Sequence, residues 1–186
     1  MSSENTFDYN SAGYKKFLKK FRDTDLEKSS LIVFAGSFNT NREAALDEFK
    51  REIIGEPVEI DLAEIITPYE EESYQNIDRC LNSINKDEEL VIFRNAEQLN
   101  GAYTAYSTSI VRYGSPQEKY FVKKLAEIPV PAILELKDED QLDRFLQRKA
   151  DAVFLFKAPT SLLERLAWKV KNIHVHGSSF LSPRPH

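Results

Sequence analysis

Glycine is scarce in this chain: six in 186 residues, about 3% where about 7% is usual. The closest two, Gly101 and Gly114, are still far apart. A G-x-G-x-x-G dinucleotide loop is therefore excluded, and so is a complete phosphate loop, which needs two glycines five apart ahead of Lys and Ser/Thr. Cys80 is the single cysteine, which rules out an intramolecular disulfide and a cysteine-cluster zinc site. It falls on the apolar stripe of an expected helix and reads as a packing thiol. Histidine occurs only at His174, His176 and His186, so a Ser/His/Asp or Cys/His nucleophilic site has little support. The His174-x-His176 pair reads as surface or edge strand, and no metal is expected. No apolar run approaches the ~20 residues of a membrane span, and Met1 to Phe7 has no basic stretch leading into an apolar one. The expectation is a soluble cytoplasmic protein with no membrane partner. Positive charge is also in deficit, the net charge being -5 with a pI near 5.4; a general affinity for nucleic acid is not expected.

What is present is an apolar pattern that changes period along the chain. Tyr14, Phe17, Leu18 and Phe21 recur at helical spacing among Lys15, Lys16, Lys19, Lys20 and Arg22, giving a short basic amphipathic helix. Its charged face reads as solvated, with an acidic partner surface as the alternative. Leu31 to Ala35 is a continuous apolar run closed by Gly36, as in a strand buried on both faces. Thr40 and Glu43 have the spacing of a capping box, and Ala45, Leu46, Phe49 and Ile53 form the buried face of the helix that follows. Val58, Ile60 and Leu62 suggest a second strand. Thr67, Pro68 and Glu70 open a helix with the stripe Tyr74, Ile77, Leu81 and Ile84.

Leu90 to Phe93 reads as the third strand, and a polar stretch rich in tyrosine and serine runs from Asn100 to Ser115. Pro116 reopens a helix through Phe121, Leu125 and Ile128. Ala132 to Leu136 is the fourth strand, Leu142, Phe145 and Leu146 mark a short helix, and Ala152 to Phe156 is the fifth strand. Pro159 and Ser161 begin a last helix reaching Val170. Five short apolar strands alternating with helices point to a parallel sheet covered on both faces.

In such sheets ligands sit beyond the carboxyl ends of the strands. The residues at those ends have a recognisable order. Gly36-Ser37-Phe38-Asn39-Thr40-Asn41-Arg42-Glu43 after the first strand, then Leu90-Val91-Ile92-Phe93-Arg94-Asn95-Ala96-Glu97-Gln98-Leu99, then Ile133-Leu134-Glu135-Leu136-Lys137 and Phe145-Leu146-Gln147-Arg148-Lys149-Ala150-Asp151, together resemble the core of an AAA+ ATPase of the P-loop NTPase fold. The resemblance covers roughly residues 28 to 170. It implies a three-layer αβα sandwich with a five-stranded parallel sheet, without the helical lid domain. The implied division is 1–28 as an N-terminal amphipathic helix and tail, 29–171 as the core, and 172–186 as a short C-terminal tail.

The departures from the family's pattern are as informative as the match. Only Gly36 survives of the phosphate loop; Asn41 stands for its second glycine, Arg42 for its lysine and Glu43 for its hydroxyl. Asn tolerates the left-handed backbone and Arg keeps a charge, but a carboxylate at Glu43 would repel a phosphate, and the simplest role for Thr40 and Glu43 is to cap their own helix. Arg94 and Asn95 replace the Asp-Glu pair that the family uses for magnesium and for the attacking water; an arginine cannot bind a cation and a neutral amide cannot act as a general base. Lys137 takes the place of the polar sensor. The implied chain has no catalytic residues, no cofactor and no small-molecule substrate.

What the resemblance leaves is assembly. Arg148 and Lys149 occupy the stretch from which family members reach into a neighbour's site, although a solvent-exposed pair is the plainer reading. Tyr69-Glu70-Glu71 lies where the family's aromatic pore loop would be, without its usual neighbours, and the glutamates read as charges favouring a helix N-terminus. Tyr103, Tyr106 and Tyr113 are candidates for a partner surface. The expectation is a catalytically inactive AAA+-like protein in an oligomeric assembly, acting through protein contacts as a structural or regulatory partner of an active AAA+ ATPase. Two rivals stand beside it: a noncatalytic subunit similar to those of DNA clamp loaders, and a cryptic nucleotide or phosphate binder using Gly36, Asn41 and Arg42.

Overall fold

The computed structural model describes residues 5–23, 29–100 and 114–158. Tyr103, Tyr106 and Tyr113, the three histidines, and the expected helix from Pro159 to Val170 lie outside the described residues. The chain divides into Met1–Phe156 and Lys157–His186, and the described strands and helices belong to the first of these units.

Six strands form one sheet: β1 (Thr6–Asp8), β2 (Leu31–Ala35), β3 (Val58–Asp61), β4 (Val91–Arg94), β5 (Ala132–Leu136) and β6 (Ala152–Leu155). Their order across the sheet is β1-β6-β2-β5-β4-β3, and every pairing is parallel. The sheet therefore has six strands where the sequence suggested five. The additional strand is Thr6-Phe7-Asp8, paired with Val153, Phe154 and Leu155 at one edge. Three residues with one apolar side chain carry no periodic signal, and only β6 beside them makes them a strand.

The helices are α1 (Ala12–Arg22), α2 (Asn39–Arg51), α3 (Glu70–Ser83), α4 (Pro116–Leu125) and α5 (Arg144–Lys149). Alternation along the strands sorts the core into two clusters. Leu31, Val33, Ala132, Leu134, Val91 and Phe93 pack with Ile77, Leu81, Phe121 and Leu146, from α3, α4 and α5. Ile32, Phe34, Ile92, Ile133 and Phe154 pack with Tyr14 and Phe21 of α1 and with Leu46 and Phe49 of α2. Successive strand side chains point to opposite faces, so strands buried on both sides must be apolar at nearly every position, as β2 is. The second cluster is notably aromatic, with Tyr14, Phe34, Phe49 and Phe154 in mutual edge and tilted contacts.

Two helix starts are formed by means the sequence did not indicate. Helix α2 begins at Asn39, so Thr40 and Glu43 lie inside it; Phe38 is the N-cap and makes no side-chain capping hydrogen bond. The expected capping box is thus not formed, because Glu43 is engaged by Arg94. Helix α3 starts after Tyr69, and Thr67 holds the turn before it, its hydroxyl donating to Glu72 at 2.9 Å. At α4 the sequence signal holds: Pro116 is in the first turn, and Ser115 caps it by accepting from the Glu118 amide.

Candidate functional site

The carboxyl ends of β2, β4 and β5 meet the N-terminal half of α2. Gly36 closes β2 with φ +140°, and a Cβ there would run into the Phe156 backbone. Only glycine accepts both the conformation and the approach. The loop it begins is stitched to neighbouring strands: the Gly36 amide donates to the Leu136 carbonyl at 3.3 Å, and the Phe38 amide to the Phe156 carbonyl at 3.2 Å.

On β3, β4 and β5 the period of two places Glu59, Arg94 and Glu135 on the sheet face that α2 covers, since their neighbours Ile60, Phe93 and Leu134 belong to the opposite cluster. Glu135 sits at the centre. Its side chain is 6% exposed, as buried as the Arg42 side chain at 5%. The Arg42 Nε donates to Glu135 Oε1 at 2.6 Å, its Nη2 to Asn39 Oδ1 at 2.8 Å, and its Nη1 to the Gly36 carbonyl. The second oxygen, Glu135 Oε2, accepts from Arg94 Nη1 at 2.8 Å. Arg94 also forks onto both Glu43 oxygens at 2.8 and 3.3 Å and reaches Glu59 Oε2 at 3.2 Å. Lys50 closes the chain on Glu59 Oε1 at 2.5 Å.

Three acids and three bases thus form one contiguous network, in which each of the six carboxylate oxygens accepts from a cation. Burial works against the Arg94 charge, but the hydrogen bonds from Glu43 and Glu135 outweigh it and raise its pKa above the ordinary arginine value. Glu59 likewise loses some solvation, and Lys50 and Arg94 more than offset this, lowering its pKa. In this network every carboxylate is paired with at least one cation. Its physical effect is to clamp α2 to the ends of three strands.

The remaining residues singled out in the sequence lie around this network or away from it. Asn41 is half-buried in the first turn of α2. Asn95 follows Arg94 with φ +57°, a conformation that Asn adopts more readily than most residues, and its Nδ2 donates to Asp61 Oδ1 at 2.6 Å. That bond, with the Ala63 amide, lowers the Asp61 pKa. Lys137 Nζ lies 3.4 Å from Glu97 Oε1. Arg148 and Lys149 are exposed in the last turn of α5, where cations complement the helix dipole. Cys80 is half-buried, and burial raises its thiol pKa. Among the described residues no group of three or more His, Cys, Asp or Glu side chains could hold a metal ion, and no helix is long and apolar enough to cross a membrane.

Glu135, Glu59 and Lys50 are the network residues that sequence reading missed. A signal for Glu135 existed: a carboxylate inside the apolar run Ala132 to Leu136, which must be paired if buried. Glu59 gave none, since a single acid in a strand that otherwise alternates is ordinary surface chemistry.

No protein-family model matches the chain, and no curated protein sequence does. Solved structures do. A chain in the structure of the E. coli MS115-1 HORMA:CdnC:Trip13 complex superposes with a TM-score of 0.55 at 17% identity, covering 94% of this chain and 64% of that one. The FIGL-1 AAA domain in complex with ADP superposes with a TM-score of 0.51 at 12% identity, covering 94% and 63% respectively. At such identities the likeness concerns the fold: an α/β domain with a parallel sheet, similar to AAA domains. The chain spans less than two thirds of either match.

Proposed function

We propose that this chain is a catalytically inactive AAA+-like domain, a three-layer αβα core that works through protein contacts as a structural or regulatory partner of an active AAA+ ATPase or a larger assembly. The observation that carries the reading is the Arg42–Glu135–Arg94–Glu43 network. In the resemblance drawn from sequence, Arg42 and Glu43 stand where a phosphate and its magnesium would be held, and Arg94 stands where a carboxylate would position that ion. Here Arg94 is paired with Glu43, and Arg42 and Arg94 share the two oxygens of Glu135.

The residues do not fit a magnesium nucleotide. The Arg42 guanidinium spends its donors on Glu135, Asn39 and the Gly36 carbonyl, so a phosphate would have to displace a buried carboxylate from it. The Arg94 cation lies in bonding contact with Glu43 and Glu135, and a second cation beside it would be repelled. The FIGL-1 domain was solved in complex with ADP, and that is a property of that protein.

The test is direct. MgATP and MgADP are expected to leave the melting temperature unchanged, because a ligand with no affinity for the folded state adds no stability. ATP hydrolysis by purified protein, abolished in Arg42→Ala, would overturn the reading. The partner role is tested separately, by affinity capture from the native cell with the intact chain as bait, the expected product being an AAA+ ATPase.

A further inference from the structure

Helix α1 has two faces of very different character. Tyr14 and Phe21 are buried against Phe49 and Phe154, with Phe17 packed alongside. The outer face presents Lys15, Lys16, Lys19, Lys20 and Arg22, all exposed, and the helix contains no acidic residue. Among the described residues the four lysines enter no ion pair, while Arg22 meets only its neighbour Asp23 at 3.2 Å.

Folding does not account for this pattern. Lys19, Lys20 and Arg22 complement the dipole at the helix C-terminus, but Lys15 and Lys16 lie in its N-terminal half and gain nothing from it. The pairs Lys15/Lys19 and Lys16/Lys20 are like charges four residues apart, which destabilise a helix. The chain nevertheless concentrates them in a protein of net charge -5.

An opposite surface exists on the same molecule. Before and within the first turn of α3 stand Tyr69, Glu70, Glu71 and Glu72, with Glu64 in the preceding 3-10 turn (Leu62–Glu64). Glu64, Glu71 and Glu72 are exposed. The glutamates suit a helix N-terminus, but Tyr69, 72% exposed and one of two large apolar side chains so placed among the described residues, has no such reason to be there. Helix α1 follows edge strand β1 and α3 follows edge strand β3, and the two helices cover opposite faces of the sheet. The basic and acidic surfaces are therefore diagonal to each other and cannot meet within one molecule.

We propose that the α1 basic face docks on the Tyr69–Glu72 knuckle of a second copy of this chain, in a head-to-tail contact. Lysine stems can lie over the Tyr69 ring while their ammonium groups meet Glu71 and Glu72. Because the two surfaces differ, the contact is heterologous and can repeat or close into a ring. At physiological salt the screening length is about 8 Å, so facing side chains a few ångströms apart still attract while the net charges of the two molecules are largely screened from each other.

Sedimentation velocity on the full chain at low and high ionic strength tests the contact. Self-association is expected at low salt and should weaken at high salt. The quadruple variant Lys15→Glu, Lys16→Glu, Lys19→Glu, Lys20→Glu and the double variant Glu71→Lys, Glu72→Gln, whose glutamine keeps an acceptor for the Thr67 hydroxyl, are each expected to weaken it at least tenfold. All six substitutions are on exposed positions, and circular dichroism verifies that both variants fold. Mixed together, the two variants should associate again, since each then meets a surface of opposite sign. A wild-type chain that stays monomeric at low salt overturns the proposal, as does association that neither variant weakens or a mixture that fails to associate. Binding of an oligonucleotide by monomeric wild type, lost in the lysine variant, would assign the face to nucleic acid instead.

Discussion

Glu135 on β5 and Glu118 in the first turn of α4 are both almost fully buried, at 5% and 1% exposure, yet the molecule neutralises them by different means. Glu135 is answered by two arginines. Glu118 faces another acid, Asp143, and among the described residues Asn100 donates to it at 3.1 Å. Burial, reinforced by the hydrogen bond and charge of Asp143, pushes its carboxyl up to about 8; Asn100 and Lys119 pull the other way and are outweighed. Even a helix N-terminus, which favours an anion, does not reverse this. Both sites obey one rule, that a buried carboxylate must lose its net charge. A guanidinium does so over a wide pH range, and a proton does so only below a threshold.

The largest effect is expected from removing the shared acceptor. Glu135→Ala leaves Arg42 buried without its partner, and such losses cost about 3–5 kcal/mol; the midpoint of urea unfolding measures it. Glu135→Gln should cost less, because one arginine bond can be retained.

The second prediction concerns pH. The folded chain keeps a proton on Glu118 that the unfolded chain, with an ordinary value of 4.5, has already released. Stability from this group is therefore complete below pH 4.5, falls as pH rises to about 8, and is level beyond. The slope inside the window reaches about 1.4 kcal/mol per pH unit for one proton. Glu118→Gln keeps a donor facing Asp143 and should remove that slope, so that the difference between variant and wild type grows from pH 5 to pH 8. Parallel pH profiles for the two proteins would refute the retained proton on Glu118.

The smallest effect is expected at the solvent end of the arginine network. Lys50 and Glu59 have side chains 27% and 39% exposed, and exposed pairs contribute about 0–1 kcal/mol. Lys50→Ala should therefore shift the urea midpoint only slightly, and that shift should shrink in high salt. A loss as large as that of Glu135→Ala would mean the network is cooperative throughout its length.

Much of the fold is legible in the sequence because hydrophobic period is a local property. Strands β2, β4, β5 and β6 each contain an apolar run, and α4 carries Pro116 where a helix opens. Strand β1 is not legible, since Thr6, Phe7 and Asp8 become a strand only by lying beside Val153 to Leu155. The start of α2 is misleading for a related reason. Thr40 and Glu43 have the spacing of a cap, but a capping bond competes with a fork of two bonds to Arg94, fifty-one residues away. The candidate site divides in the same way. Arg42, Glu43 and Arg94 can be named from their places in the order of strands and loops, whereas Glu59 and Glu135 can be joined to them only by strand register and by the face on which α2 packs.

The sequence alone determined the parallel α/β class, through short apolar runs alternating with helical stripes, and it excluded a glycine-built phosphate loop through composition. Those are properties of neighbouring residues and of counts. Only the tertiary structure decided what surrounds Gly36 and the first turns of α2, because charge pairing depends on distance in space. Pairing across β3, β4 and β5 carried Glu59, Arg94 and Glu135 beneath Arg42, Glu43 and Lys50, and once buried together they had to satisfy one another.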